Sequence, residues 1–208
     1  MIIHDVVQGS EEWRELRLEK ISGTRLADVL GTAIKQDSLI NELIAEFLVG
    51  ESKENHVTLA MALGSEAEEF AVDEYEIKTG EITEKAGICQ HDQFPWLINS
   101  PDRLIKRDGE YKKAVEIKSP NPDTAIKYIR KGGIPKEYLA QVISYFLVND
   151  ELEELDFVVY SPKIQTEQYR LFIVNVKRED LPLTESIEKI VRFHEKWQAE
   201  LKKLNLNI

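Results

Sequence analysis

The alternation of apolar and polar residues divides the chain into a helical first part, a strand-rich middle and a mixed remainder. An apolar run at residues 2–7 reads as a short strand. Ser10 precedes a periodic segment with Glu11 and Glu12 in its first turn, which predicts a capped helix through residue 19. Ser22 or Thr24 opens a second short helix to about residue 30, and 38–49 carries the spacing of a third. A long periodic stretch from about 55 to 79, closed by Gly80, predicts the longest helix of this half. Strand-like runs follow at 87–90, 96–99, 103–106 and 113–118, with Asp108-Gly109 as the turn between the last two. Beyond Pro120 and Pro122 a helix is expected over 123–131. Pro135 then takes a first helical position, and the largely apolar PKEYLAQVISYFLV continues from it. Strands at 155–160 and 168–174 and a last helix over 184–203 complete the pattern. Helices, then a strand cluster, then both mixed, predict one domain over residues 1–208, of α/β or α+β class with a mixed sheet.

Composition narrows this picture. At 208 residues, 42% hydrophobic and 31% charged, the chain has the make-up of an ordinary globular protein. No apolar run is long enough to span a bilayer, and the N-terminal residues lack the pattern of a secretory signal. Cys89 is the sole cysteine, which excludes an internal disulfide and cysteine-based zinc or iron–sulfur sites within one chain. A cytoplasmic location is the expectation. The net charge of −11 by itself argues against nucleic acid. However, residues 103–136 hold ten Lys/Arg against four acids, a local excess of six positive charges. That stretch reads either as a solvated surface or as a phosphate track.

Candidate chemistry lies in SPDRLIKRDGEYKKAVEIKSP, residues 100–120. Asp102 ends one strand. Glu116 and Lys118, two apart on a later strand, share a face that Asp102 can also reach. Converging carboxylates are costly without a counter-charge, and magnesium, a hard ion, is bound by such oxygens. The long helix places Gly64, Glu68, Ala71 and Tyr75 on one stripe; Glu68 is either open to close approach among small residues or one more surface acid of an acid-rich helix. Gln141 is a lone amide among Leu139, Ala140, Val142 and Ile143; it either satisfies a buried backbone group or faces the site. Arg17 stands one turn after Trp13, and Thr24 lies where a helix begins. Both fit a phosphate pocket, or alternatively a stacking pair and a cap.

Taken in order, five elements resemble the lambda exonuclease family, or YqaJ-like viral recombinases, within the PD-(D/E)xK nuclease superfamily. They are Gln8…Trp13…Arg17…Ile21-Ser22; Gly64-x3-Glu68-x2-Ala71; Ser100-Pro101-Asp102; Glu116-Ile117-Lys118; and Tyr138-x-Ala140-Gln141-Val142. The resemblance spans residues 8 to about 148 and departs most after Asp150. It implies a restriction-endonuclease-like core, a central mixed sheet flanked by helices. It further implies exonucleolytic digestion of linear double-stranded DNA, 5′ to 3′, leaving 3′ single strands for recombination. Two Mg2+ ions, replaceable by Mn2+, would be held by Asp102, Glu116 and the Ile117 carbonyl, with Glu68 serving the second. Lys118 would position the attacking water and Gln141 would support the site. Arg17, Thr24 and Ser100 match the family's 5′-phosphate pocket; Thr24 stands where the lambda protein has serine. A trimeric ring around DNA ends and a single-strand annealing protein as partner are implied in the same way, with no membrane role.

Two other readings remain. One is a structure- or sequence-selective endonuclease on the same core. The other is a catalytically silent DNA-end-binding scaffold, which the intact Asp102, Glu116 and Lys118 oppose. A generic metal phosphoesterase is more distant, because His4, His56, His91 and His194 form no close ligand pair.

Overall fold

A computed structural model of the chain describes residues 1–52 and 59–206; in the helix that starts at Leu59, side chains are described from residue 67 onward. The chain opens with β1 (Ile2–His4), shorter than the apolar run suggests. Ser10 then caps α1 (Glu11–Arg17), its hydroxyl accepting the Trp13 N–H at 3.1 Å. This helix stops short of residue 19, and Glu19 takes a positive φ of 57°. The one-turn α2 (Leu26–Val29) starts from Ser22, whose carbonyl accepts the Leu26 N–H and whose hydroxyl accepts that of Arg25. Next, α3 (Ala33–Val49) begins earlier than residue 38, because Thr32 supplies the cap by accepting the Lys35 N–H. The long helix α4 (Leu59–Thr79) ends at left-handed Gly80, as its sequence predicts. Its expected beginning at Asn55, with His56, lies outside the described residues, as do the surroundings of Gly64.

Short strands β2 (Ile88–Gln90) and β3 (Ile98–Asn99) join β1 in a small antiparallel sheet, order β1-β2-β3. A second sheet is built on the hairpin of β4 (Arg103–Arg107) and β5 (Glu110–Lys118). Its turn residues Asp108 and Gly109 both have positive φ, 53° and 87°, the geometry that matches strand twist in a two-residue loop. From β5 the chain crosses through α5 (Pro122–Lys131) and α6 (Lys136–Val148) to β6 (Glu154–Tyr160), which pairs parallel to β5. A parallel neighbour needs such a helical crossover. Pro135 caps α6 from just outside rather than occupying its first turn. After α7 (Glu167–Arg170), strand β7 (Leu171–Lys177) completes the order β4-β5-β6-β7. The strand expected at 168–174 is thus shifted, because its first residues close a helical turn with the Arg170 N–H on the Thr166 carbonyl. The final helix is α8 (Leu183–Lys203).

The mixed sheet has apolar residues on both faces. Ala114, Leu155, Phe157 and Val159 pack with Val142, Tyr145 and Phe146 of α6 and Phe193 and Trp197 of α8. Val115, Ile117 and Val158 pack on the other side with Ala71, Val72 and Tyr75 of α4. Each fully buried side chain of this size contributes about 1.5–3 kcal/mol, so the sheet is fixed between α4 and α6. The alternation along β5 settles which residue faces which helix.

Candidate active site

β4 is shorter than β5 at the end that matters. The last β4–β5 pair in this direction is Arg103 with Val115, so Glu116, Ile117 and Lys118 run past their neighbour. Asp102 stands at that vacated edge and its carboxylate replaces the missing strand: Oδ2 accepts the Ile117 N–H at 2.6 Å. A strand residue presents its N–H and C=O to the same edge, so the Ile117 carbonyl faces the Asp102 side as well.

Glu116 points toward α6 and is fully buried. Gln141 Nε2 donates to its Oε1 at 2.7 Å, the Tyr145 hydroxyl donates to Oε2, and the Lys118 ammonium pairs with Oε1. Gln141 and Tyr145 are one helical turn apart and so share a face of α6. Lys118 Nζ also lies 5.1 Å from the centroid of the Tyr138 ring. From α4, the Glu68 carboxylate meets Arg103 at 2.9 Å; the same guanidinium reaches Glu69 at 2.9 Å and donates to the Asp102 carbonyl at 2.5 Å.

The electrostatics show a site short of positive charge. Desolvation pushes Asp102 well above the usual carboxylate range, and repulsion from Glu116 and Glu68 adds to it; Lys118 and the Ile117 N–H only partly offset this. Glu68 is also raised by desolvation, against the pull of Arg103. Burial keeps the Tyr145 phenol well above its normal range, with Glu116 acting in the same direction, so it stays protonated and donates. Desolvation works against the Lys118 charge, but Glu116 and Asp102 outweigh it and raise its pKa. The donors available at the β5 edge are hard oxygens under mutual repulsion, a set suited to a divalent cation. Among the described residues no three acidic, histidine or cysteine side chains converge as a ready-made metal cage. Each carboxylate is instead held by protein partners, Glu68 by Arg103, Glu116 by Gln141, Tyr145 and Lys118. The oxygens that could hold a cation at this edge are those of Asp102, Glu116 and the Ile117 carbonyl, with Glu68 held further back by Arg103.

A model of the YqaJ-like viral recombinase domain matches residues 12–151, a span that includes every residue of this cluster. The chain belongs to that family. Two solved structures of an alkaline exonuclease from Laribacter hongkongensis, one in complex with dAMP, are each 30% identical over 94% of this chain and 96% of theirs, with TM-scores of 0.84 and 0.83. A phage-related exonuclease from Haemophilus somnus 129PT matches in fold alone, at 17% identity and TM-score 0.61 over 88% of this chain and 95% of that one. A search of curated proteins finds no match. The restriction-endonuclease-like class expected from the sequence is the fold observed, and membership of the YqaJ-like family supports a nuclease role.

In this YqaJ-like chain the structure joins Glu116, Lys118 and Gln141 by direct side-chain contacts, ties Asp102 to the same strand through the Ile117 N–H, and sets Glu68 one residue away from Asp102, through Arg103. Ile21 and Leu97 form a parallel bridge, so the two segments run on together, one toward Thr24 and the other toward Ser100. Gly23 packs against α6: a Cβ there would stand 2.7 Å from Ser144 Oγ and 3.4 Å from Gln141 Cγ. Thr24 is therefore next to a residue that touches the active-site helix, and its hydroxyl is 2.8 Å from that of Ser22. Arg17 is buried, with its guanidinium 4.3 Å from the centre of the Trp13 ring. The Ser100 hydroxyl is buried and has no hydrogen-bond partner among the described residues.

Sequence reasoning missed Tyr145 and Arg103. Once Gln141 is placed in the site, the one-turn spacing on α6 points to Tyr145. Nothing comparable marks Arg103, which is hidden in a basic run. That run is not a continuous phosphate track. Lys106 pairs with Glu84, Arg107 with Glu81, Lys112 with Glu151, and Lys113 with Asp156 and Glu81. The half on β4 and β5 is neutralised by acids far away in sequence.

Proposed function

We propose that the chain is a divalent-metal-dependent exodeoxyribonuclease, digesting linear double-stranded DNA 5′ to 3′ to leave 3′ single strands. The observation that carries this is the β5 edge, where Asp102 takes the place of a missing strand beside Glu116 and Lys118, in a YqaJ-like chain similar to an alkaline exonuclease. Asp102, Glu116 and the Ile117 carbonyl would hold one Mg2+ or Mn2+, and Glu68 would serve a second. When bound, these ions supply Lewis-acid activation of water and neutralise charge on the scissile phosphate. Gln141 and Tyr145 fix the Glu116 carboxylate in one orientation. Lys118, held in its charged form between carboxylates and Tyr138, orients the water and steadies the phosphate oxygens. The Laribacter relative is solved in complex with dAMP, a mononucleotide, which supports mononucleotide release here.

Ser100, two residues before Asp102, has a buried hydroxyl ready for an external acceptor. Together with Thr24, and with Arg17 as a bidentate donor, it would take the terminal 5′-phosphate and so set polarity and register. The protein would act as one domain in the cytoplasm; among the described residues no helix is long and apolar enough to cross a membrane. A trimeric ring is supported by exposed Phe70 and Ile77 on α4 and by Ile82, which are 66%, 85% and 81% accessible and suit cover by a second copy. A single-strand annealing protein would take the 3′ strands.

The test compares wild type with Arg17→Ala on duplexes bearing 5′-phosphate or 5′-hydroxyl, each strand labelled separately. Loss of a charge-assisted bond worth about 1.5–3 kcal/mol slows the phosphorylated end roughly 10- to 150-fold, and the hydroxyl end much less. Equal losses on both ends would remove the pocket, and digestion from 3′ ends would overturn the polarity.

A further inference from the structure

The basic run that opens on β4 divides in two in the structure. Its first half is spent on internal ion pairs, whereas Lys127, Arg130 and Lys131 of α5 and Lys136 at the start of α6 are exposed and make no ion pair among the described residues. On α5 the spacing 127, 130, 131 places three cations on neighbouring positions of one side of the helix. The opposite side, through Ala125 and Tyr128, is buried. Two acids lie close by. Asp123 stands in the first turn, and Glu137 accepts a hydrogen bond from Tyr128 at 2.9 Å and feels Lys127 and Lys131 without pairing with them.

The position of this helix gives the cations a use. Tyr128 packs edge-on against Tyr138 with ring centroids 6.2 Å apart, and Tyr138 lies under the Lys118 ammonium at 5.1 Å. Two ring contacts thus link the buried side of α5 to Lys118, and the cations stand on the opposite, exposed side of the same short helix. After α5, Gly132 and Gly133 both take positive φ, 61° and 71°, and a Cβ at either would meet nothing within 4 Å, so the turn is open to solvent.

We infer that Lys127, Arg130 and Lys131 form a phosphate-binding surface that grips the backbone of duplex DNA outside the active site. This rests on the nuclease reading above and adds the binding surface to it. The helix is about 15 Å long, less than half of one DNA turn, and its cations can meet successive phosphates of a rigid duplex strand. Such contacts carry no sequence information; they hold the substrate while the end is processed. In an acidic chain they also supply a local attraction that the net charge opposes.

The experiment measures binding of the full chain to a linear 5′-phosphorylated duplex in EDTA, across a salt series, for wild type and Lys127→Ala/Arg130→Ala/Lys131→Ala. Three lost phosphate contacts lower the magnitude of the log K–log salt slope by about 2.7. Between about 50 and about 200 mM salt, wild type then loses roughly 40-fold more affinity than the triple variant. With Mg2+ and saturating DNA, kcat should stay near wild type while KM rises, and Lys127→Arg/Lys131→Arg should retain the slope. An unchanged slope in a variant that still digests DNA overturns the surface and leaves the nuclease reading standing. A loss seen on single-stranded DNA but not on duplex also overturns it. If wild type itself neither binds nor digests duplex, the nuclease reading falls and this surface falls with it.

Discussion

Replacing Tyr145 by phenylalanine deletes one oxygen from the site and leaves the ring packed in the core. The hydroxyl is a donor to Glu116 Oε2, and both residues are buried. A hydrogen bond to a charged group contributes about 1.5–3 kcal/mol, and its loss strands one carboxylate oxygen away from water. For a protein of this size, about 2–4 °C of melting temperature corresponds to each kcal/mol, so Tyr145→Phe should lower Tm by roughly 3–12 °C in EDTA. The remaining partners of Glu116, Gln141 and Lys118, both act on Oε1. They restrain one oxygen and leave the carboxylate free to turn, so kcat should fall while KM changes little. A double-mutant cycle with Gln141→Ala sharpens the test. Both side chains act on one carboxylate, so their effects should depart from additivity by at least about 0.5 kcal/mol. A stability loss below about 0.5 kcal/mol, the range of ordinary surface substitutions, together with unchanged kcat, would refute the role given to Tyr145.

Asp102→Asn should abolish cleavage and yet stabilise the metal-free protein at neutral pH. The folded-state pKa of Asp102 is raised, so the folded chain binds the proton more tightly than the unfolded chain, and stability is lost as pH rises through the folded pKa. Melting in EDTA over a pH series checks this: the wild-type deficit relative to Asn should grow toward neutral pH, and Mg2+ should raise the wild-type Tm but not that of the variant. A variant less stable than wild type throughout would contradict the charge deficit. Gly23→Ala should push on Ser144 and Gln141, costing about 1–3 kcal/mol and lowering activity, because a Cβ there falls 2.7 Å from Ser144 Oγ. Adding Ser144→Ala should recover much of the activity; no recovery would show that the Gly23 contact does not act through α6.

The site was legible where spacing alone decides geometry. Glu116 and Lys118 share a face because strands alternate, and the Asp108-Gly109 turn fixes the hairpin that brings Asp102 opposite Ile117. Ser10 announced α1 through its cap. Thr32 caps α3 in the same way but was not legible as a cap, because the polar Lys35-Gln36-Asp37 that follows it hid the helix until the apolar periodicity set in. Tyr145 was not legible because an aromatic residue in an apolar helix looks like core, and most of its ring is core. The fate of the basic run was not legible because its neutralising partners, Glu81, Glu84, Glu151 and Asp156, arrive by folding from other elements. The division into two sheets was likewise invisible, since short strands carry no mark of which neighbour they pair with.

The most direct test of the β5 edge as a nuclease centre is digestion of one plasmid in two forms, linearised and covalently closed, by wild type and Glu116→Gln with Mg2+ or EDTA. Wild type with Mg2+ should degrade the linear duplex to mononucleotides and a 3′ single strand and leave the closed circle intact. Glu116→Gln, and wild type in EDTA, should leave both intact. Cutting of the closed circle would replace the exonuclease by an endonuclease, and digestion by Glu116→Gln at the wild-type rate would contradict the assignment of the site.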